Sequence, residues 1–126
     1  MVRGMLKEGD IIQALKRAMP ADQVVRFTPG PASPRGICDV LITWDGIDWF
    51  CEIKVNETKL TRLQARFLSK RANAMLMQVD TRRKRIVCET RGDMVEARWI
   101  MVAAAEQLYQ PSVGGYTVDV IKALRF

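Results

Sequence analysis

The dipeptide Asp45-Gly46, set between two apolar runs, constrains this chain more than any other feature. The stretch reads GICDVLITWDGIDWFCEIKV over residues 36–55. Asp-Gly favours the two-residue type I′ loop of a β-hairpin, because both central positions need positive φ. Such a loop pairs Trp44 with Ile47 and fixes every other partner, so that counting outward sets Asp39 directly opposite Glu52. The period of two places Ile47, Trp49, Cys51, Ile53 and Val55 on one face, which reads as core. Glu52 and Lys54 fall on the other face. Opposed residues have Cβ atoms about 5 Å apart. A longer loop would shift the register and undo the opposition.

Two carboxylates that close repel each other and stay ionised only with compensation. A hard divalent cation such as Mg²⁺ takes oxygen ligands and relieves that repulsion. It also acidifies a water and neutralises charge on a phosphoryl oxygen. Lys54 is placed to orient or activate that water, or to stabilise a pentavalent transition state. Other readings of these residues stay open: Glu-x-Lys occurs on solvated strand edges, and Asp39 can cap a turn.

Helical spacing of Leu6, Ile11, Ile12, Leu15 and Met19 predicts a first helix over about 6–19, ended by Pro20. QVVRFT reads as a short strand and PGPASPRG as a loop. The hairpin strands fall over about 36–43 and 47–55. TRLQARFLSKRANA reads as a helix with Thr61 as N-cap and Leu60, Leu63, Phe67 and Leu68 turned inward. MLMQVD and RIVCE are strands around the basic turn TRRKR, and a last helix covers about 94–109. PSVGGYTVDVIKALRF shows no clear pattern. The expected order is αβββαββα: a mixed α/β (α+β) domain with a largely hairpin-connected central sheet flanked by helices. At 126 residues it is expected to be one domain, with a motif-bearing part over about 6–80 and a strand and helix extension over 81–126.

No histidine is present, and Cys38, Cys51 and Cys88 form no CxxC. This excludes cysteine–histidine zinc fingers, Ser-His and Cys-His triads and any histidine base. The thiols read as buried and free, as in a reduced compartment. Twenty basic against fourteen acidic residues give a net charge of +6, which suits a polyanionic partner. No apolar run is long enough for a membrane span, and the early charges of MVRGMLKEGD are unlike a signal peptide. A soluble, cytoplasmic protein without a membrane partner is expected.

In order along the chain, Gly36-Ile37-Cys38-Asp39-Val40-Leu41-Ile42, Phe50-Cys51-Glu52-Ile53-Lys54 and Lys59-Leu60-Thr61-Arg62-Leu63-Gln64-Ala65-Arg66-Phe67-Leu68 resemble the PD-(D/E)XK nuclease superfamily. Within it the VRR-NUC type is most similar, a type related to Holliday-junction resolvases and found as small stand-alone phage proteins. The ordered match spans residues 36–68, and the helix of KEGDII extends it towards the N-terminus. The resemblance implies a restriction-endonuclease-like core that hydrolyses DNA phosphodiesters with Mg²⁺ or Mn²⁺, and host cytoplasm as the location if phage-encoded. It implies that Asp39 and Glu52 hold the metal, with the backbone carbonyl of Ile53 nearby. Lys54 becomes the catalytic lysine, and Gln64 approaches the centre or the phosphate from the next helix. Glu8 becomes the acid of the first helix, with Asp10 competing for that role; either also suits the positive end of the helix dipole. Cys38 departs from the pattern, which usually has proline there. The chain after residue 80 matches no motif of the family.

Arg62, Arg66 and Lys70 recur at helical spacing and form a basic stripe, suited to a phosphate backbone or equally to a solvated face. Arg82 and Arg83 in the TRRKR turn and Arg35 before Asp39 are further candidate DNA contacts. Structure-selective cutting of branched or junction DNA is the expected activity. Relatives that cut four-way junctions work as dimers, which implies a homodimer here. The apolar helix containing Trp99, Ile100 and Met101 reads either as core or as the subunit interface. The rivals are a nicking, single-strand or restriction-type nuclease, a non-catalytic nucleic-acid-binding module, and a small protein-interaction domain.

Overall fold

The computed structural model describes residues 7–20, 23–27, 38–56, 59–108 and 117–124. Helix α1 (Glu8–Ala18) leads to strand β1 (Val24–Arg26) and the hairpin of β2 (Val40–Trp44) and β3 (Ile47–Val55). Helix α2 (Arg62–Ser69), strands β4 (Ala74–Asp80) and β5 (Arg85–Arg91), helix α3 (Met94–Leu108) and strand β6 (Thr117–Ile121) follow. The six strands form one mixed sheet in sequential order. β1, β2 and β3 pair antiparallel, β3 with β4 parallel, β4 with β5 antiparallel, and β5 with β6 parallel. The architecture is α+β, and its elements from α1 to α3 occur in the expected order.

The sheet is less hairpin-connected than the sequence suggests. Two of its five pairings are parallel, and a parallel pair needs a crossover long enough to return the chain. α2 and α3 supply those crossovers. The strand β6 lies in the tail that carried no readable pattern; its alternation in TVDVI is only five residues long.

Asp45 and Gly46 both take positive φ, 51° and 76°, and Trp44 faces Ile47, as a type I′ loop requires. Register then propagates as expected as far as Val40 opposite Cys51, and Trp49, Cys51 and Ile53 are buried. They join Ile11, Leu15, Met77, Ile100 and Met101 in one core, so α1 and α3 cover the same face of the sheet. α2 covers part of the opposite face, where Leu68 packs with Cys38, Ala74 and Leu76. All three cysteines are free and buried. No helix among the described residues is long and apolar enough to cross a membrane.

α2 is shorter than the sequence suggested. Arg91 Nη1 donates to the carbonyls of Leu68, Ser69 and Arg71 at 3.0–3.1 Å, which takes up the orphan acceptors of the helix end and stops it there. Leu63, expected inward, is 48% exposed. With only two turns, α2 rests on Phe67 and Leu68, and its first turn is held by capping rather than by packing. Phe67 meets Phe50 edge to face at 5.6 Å, and the Arg71 guanidinium lies over both rings. This fastens α2 beside the residues that precede Glu52.

Candidate active site

The acids meet at the end of the sheet where β2 begins and β3 runs towards its close. The paired register ends at Val40 with Cys51. The Asp39 N–H donates to the Cys51 carbonyl at 3.1 Å, so Asp39 and Val40 both stand abreast of Cys51. Strict opposition of Asp39 to Glu52 is therefore corrected by an irregularity at the strand end, of the kind that re-aims a side chain. The carboxylate turns to the β3 backbone: Asp39 Oδ2 accepts the Ile53 N–H at 2.8 Å. The Asp39 carbonyl accepts from Phe27 N–H at 2.8 Å, which ties the residue to β1 as well.

Glu52 is 1% exposed, although it is an acid. Lys54 Nζ lies 3.9 Å from its Oε1, and Oε2 is buried without a hydrogen-bond partner. Burial first, then the adjacent Asp39, pushes the Glu52 carboxyl up to about 9, against the opposing pull of Lys54. Glu8 projects from the first turn of α1 towards the same spot. Burial and Asp39 raise its carboxyl too, while Arg26 and Lys54 pull it down. Asp39 thus acts on both glutamates and raises the carboxyl of each.

Glu8 and Asp10 differ in what they meet. Asp10 Oδ2 accepts the Lys7 N–H at 2.8 Å and so caps α1. Glu8 faces the acids. One charged neighbour escaped the sequence reading: Arg26, at the end of β1, stands 4.0 Å from Glu8. An arginine closing an apolar strand is the only signal it offers.

Gln64 has a different first task. Its N–H donates to Thr61 Oγ1 at 3.1 Å, and its Oε1 accepts the Thr61 N–H at 3.0 Å, a reciprocal capping box at the start of α2. Thr61 is the N-cap, as expected. The Ile53 side chain is core, and its N–H holds Asp39. Arg62 and Arg66 are exposed on α2, and exposed Lys70 stands at its C-cap rather than in its last turn. Arg82 and Arg83 are exposed in the β4–β5 turn, with both N–H groups on Asp80 Oδ1 at 3.0 Å. Arg35, Gly36 and Ile37 lie outside the described residues.

Among the described residues no group of three or more His, Cys, Asp or Glu stands in a metal-holding array. The chemistry of the acids here nevertheless fits a hard cation: all-oxygen donors, a buried oxygen with no partner and an ammonium beside them. A carboxylate buried this deeply costs several kcal/mol unless paired, and strong perturbation by burial plus like charge marks candidate functional sites. No protein-family model, curated protein or solved structure matches the chain.

Proposed function

We propose that this chain is a metal-dependent DNA endonuclease of the PD-(D/E)XK superfamily, VRR-NUC type, that hydrolyses phosphodiester bonds. One observation carries the reading: Glu8, Asp39 and Glu52 converge with Lys54 at one end of the sheet, and Glu52 is buried with an unpartnered oxygen. Asp39 and Glu52 would hold Mg²⁺ or Mn²⁺, with the Ile53 carbonyl and Glu8 alongside. When bound, the ion supplies charge neutralisation at the phosphoryl oxygen and acidifies the attacking water.

The protein's own residues do the rest. Ile53 N–H fixes the Asp39 carboxylate, so one acid is oriented by backbone rather than by a flexible partner. Lys54 keeps its ammonium 3.9 Å from Glu52 and 14% exposed, where it can orient a water or balance charge growing on phosphorus. Exposed Arg62 and Arg66 on α2, with Lys70 at its C-cap, are sequence-independent contacts for the DNA backbone. Branched or junction DNA is the substrate in this reading, and two copies act together. The exposed Val95, Trp99 and Val102 of α3 supply a face for that pairing.

The test is cleavage of a labelled four-way junction, with linear duplex and single-strand controls, in Mg²⁺ or Mn²⁺ against EDTA. Glu52→Ala and Lys54→Ala proteins run in parallel. Metal-dependent cutting that both substitutions abolish supports the nuclease, and the substrate ranking selects its subclass. Binding without cutting, equal in all proteins and indifferent to metal, would replace it with a non-catalytic nucleic-acid-binding module.

A further inference from the structure

Gln78 is out of character for its strand. β4 lies inside the sheet, and the residues from Ala74 to Met77 are buried, as is Val79; Gln78 alone is exposed. Register explains where it looks. Gln78 is the lateral partner of Lys54 on one side and of Val87 on the other, so all three share the face that α2 covers. α2 packs only over the Ala74 and Leu76 end of that face. Beyond it Gln78 is exposed, with half-buried Lys54 and Val87 beside it, among the described residues. A cleft of about 540 Å³ opens there, floored by Gln78 and Val87 and rimmed by Asp80, Arg82, Arg83 and Arg85.

The charges of the rim do not cancel. Asp80 Oδ1 is committed to the N–H groups of Arg82 and Arg83, which locks the turn, and its Oδ2 lies 3.9 Å from Arg83. Arg85 pairs with Asp119 at 2.9 Å. Arg82 has no ion pair among the described residues. Gln78 to Asp80 advances roughly 7 Å along β4, so the basic turn begins about one nucleotide's reach from the level of Lys54.

The geometry points to this cleft as the seat of an unpaired nucleotide next to the scissile phosphodiester, its phosphate on Arg82 and Arg83 and its base edge on the Gln78 amide. This rests on the nuclease reading above. The volume falls within the range that holds small ligands. A base still in a duplex has its pairing edge occupied, whereas an unstacked base offers it to a side-chain amide, which carries both donors and an acceptor. Selectivity for branched DNA then follows, because only a branch, flap or end presents an unpaired strand at that place.

The test separates the cleft from the nuclease. Binding of a fluorescein-labelled six-nucleotide single strand, and of a hairpin duplex, is measured in EDTA over a salt series. Wild type is expected to prefer the single strand. Gln78→Trp, which fills the cleft from an exposed position, should weaken single-strand binding at least tenfold and leave duplex binding within threefold. Arg82→Ala and Arg83→Ala should each reduce the salt slope by about 1. Glu52→Gln should abolish cutting and keep this binding. Single-strand binding unmoved by Gln78→Trp and by both arginine changes, in a protein that still cuts, would overturn the cleft and spare the nuclease. Cleft-dependent binding in a protein that cuts nothing would do the reverse. Neither binding nor cutting would remove both.

Discussion

The Ile53 N–H donates to Asp39 Oδ2 at 2.8 Å, across the point where the β2–β3 ladder ends. One bond therefore both closes the strand end and aims a carboxylate at Glu52. Charge and hydrogen bonding at Asp39 are separable by substitution. Asp39→Asn keeps an acceptor for Ile53 while removing one of the crowded negative charges. It should abolish cleavage and leave stability unchanged or raised. Asp39→Ala also orphans a part-buried N–H, at a cost of about 1–3 kcal/mol. Thermal melts of the two proteins in EDTA, compared with wild type, check this. Equal destabilisation by both would mean that the bond does not hold the site.

Lys54 shares its strand face with Glu52 and is the nearest cation to it among the described residues. Lys54→Ala should lower the cleavage rate by about 10²–10³-fold, the scale seen when one preorganised charge-stabilising group is removed. DNA affinity in EDTA should change less than threefold, since a nearly buried lysine contributes little to backbone binding. Single-turnover rates beside equilibrium binding read the two separately. A parallel loss of affinity and rate would recast Lys54 as a binding residue.

The buried Glu52 also sets how stability responds to pH. Its carboxyl is pushed from 4.5 up to about 9 on folding, so the folded state holds the proton more tightly than the unfolded chain. The stability it contributes is complete below about 4.5 and is lost as pH rises towards 9. Metal-free protein should therefore melt at falling temperature between pH 5 and 9. Glu52→Gln should flatten that slope and raise the melting temperature at pH 8 by about 4 °C or more, roughly 1 kcal/mol for a chain of this size. Mg²⁺, competing with the proton, should stabilise wild type more at pH 8 than at pH 6. A pH-independent melting temperature in wild type would show that Glu52 is ionised and paired.

The hairpin and its two faces were legible because Asp45-Gly46 fixes register locally, and a period of two carries it outward without tertiary information. Legibility stopped where distant partners decide. The end of α2 is set by Arg91, more than twenty residues away, and the exposure of Leu63 by how little of that helix docks. Glu8 and Asp10 are two residues apart on one helix, and only the position of Asp39 distinguishes them. Gln64 satisfied two patterns at once, a family motif and a capping box; the backbone contacts show the second. Gln78 gave no signal, since a single polar residue in an apolar strand is unremarkable until its face proves uncovered.

α3 buries one side and exposes an apolar stripe on the other. Ile100 and Met101 are core, while Val95, Trp99 and Val102 are 65%, 62% and 50% exposed at spacings of four and three residues, one stripe of the helix. Arg98 and Glu106 stand four residues either side of Val102, and both are exposed. An antiparallel pair of α3 helices centred on Val102 would bring Arg98 of each copy over Glu106 of the other while covering both tryptophans, as a two-fold interface requires. The proposed dimer should therefore dissociate in Trp99→Glu, with little cost to the fold of each copy, because an exposed site usually tolerates substitution within about 0.5 kcal/mol. Sedimentation of wild type and variant at micromolar concentration reads the mass. The same pair on a four-way junction reads function: wild type should make two opposed cuts per binding event, and the variant single nicks. A monomeric wild type that still makes paired cuts would end the case for this face.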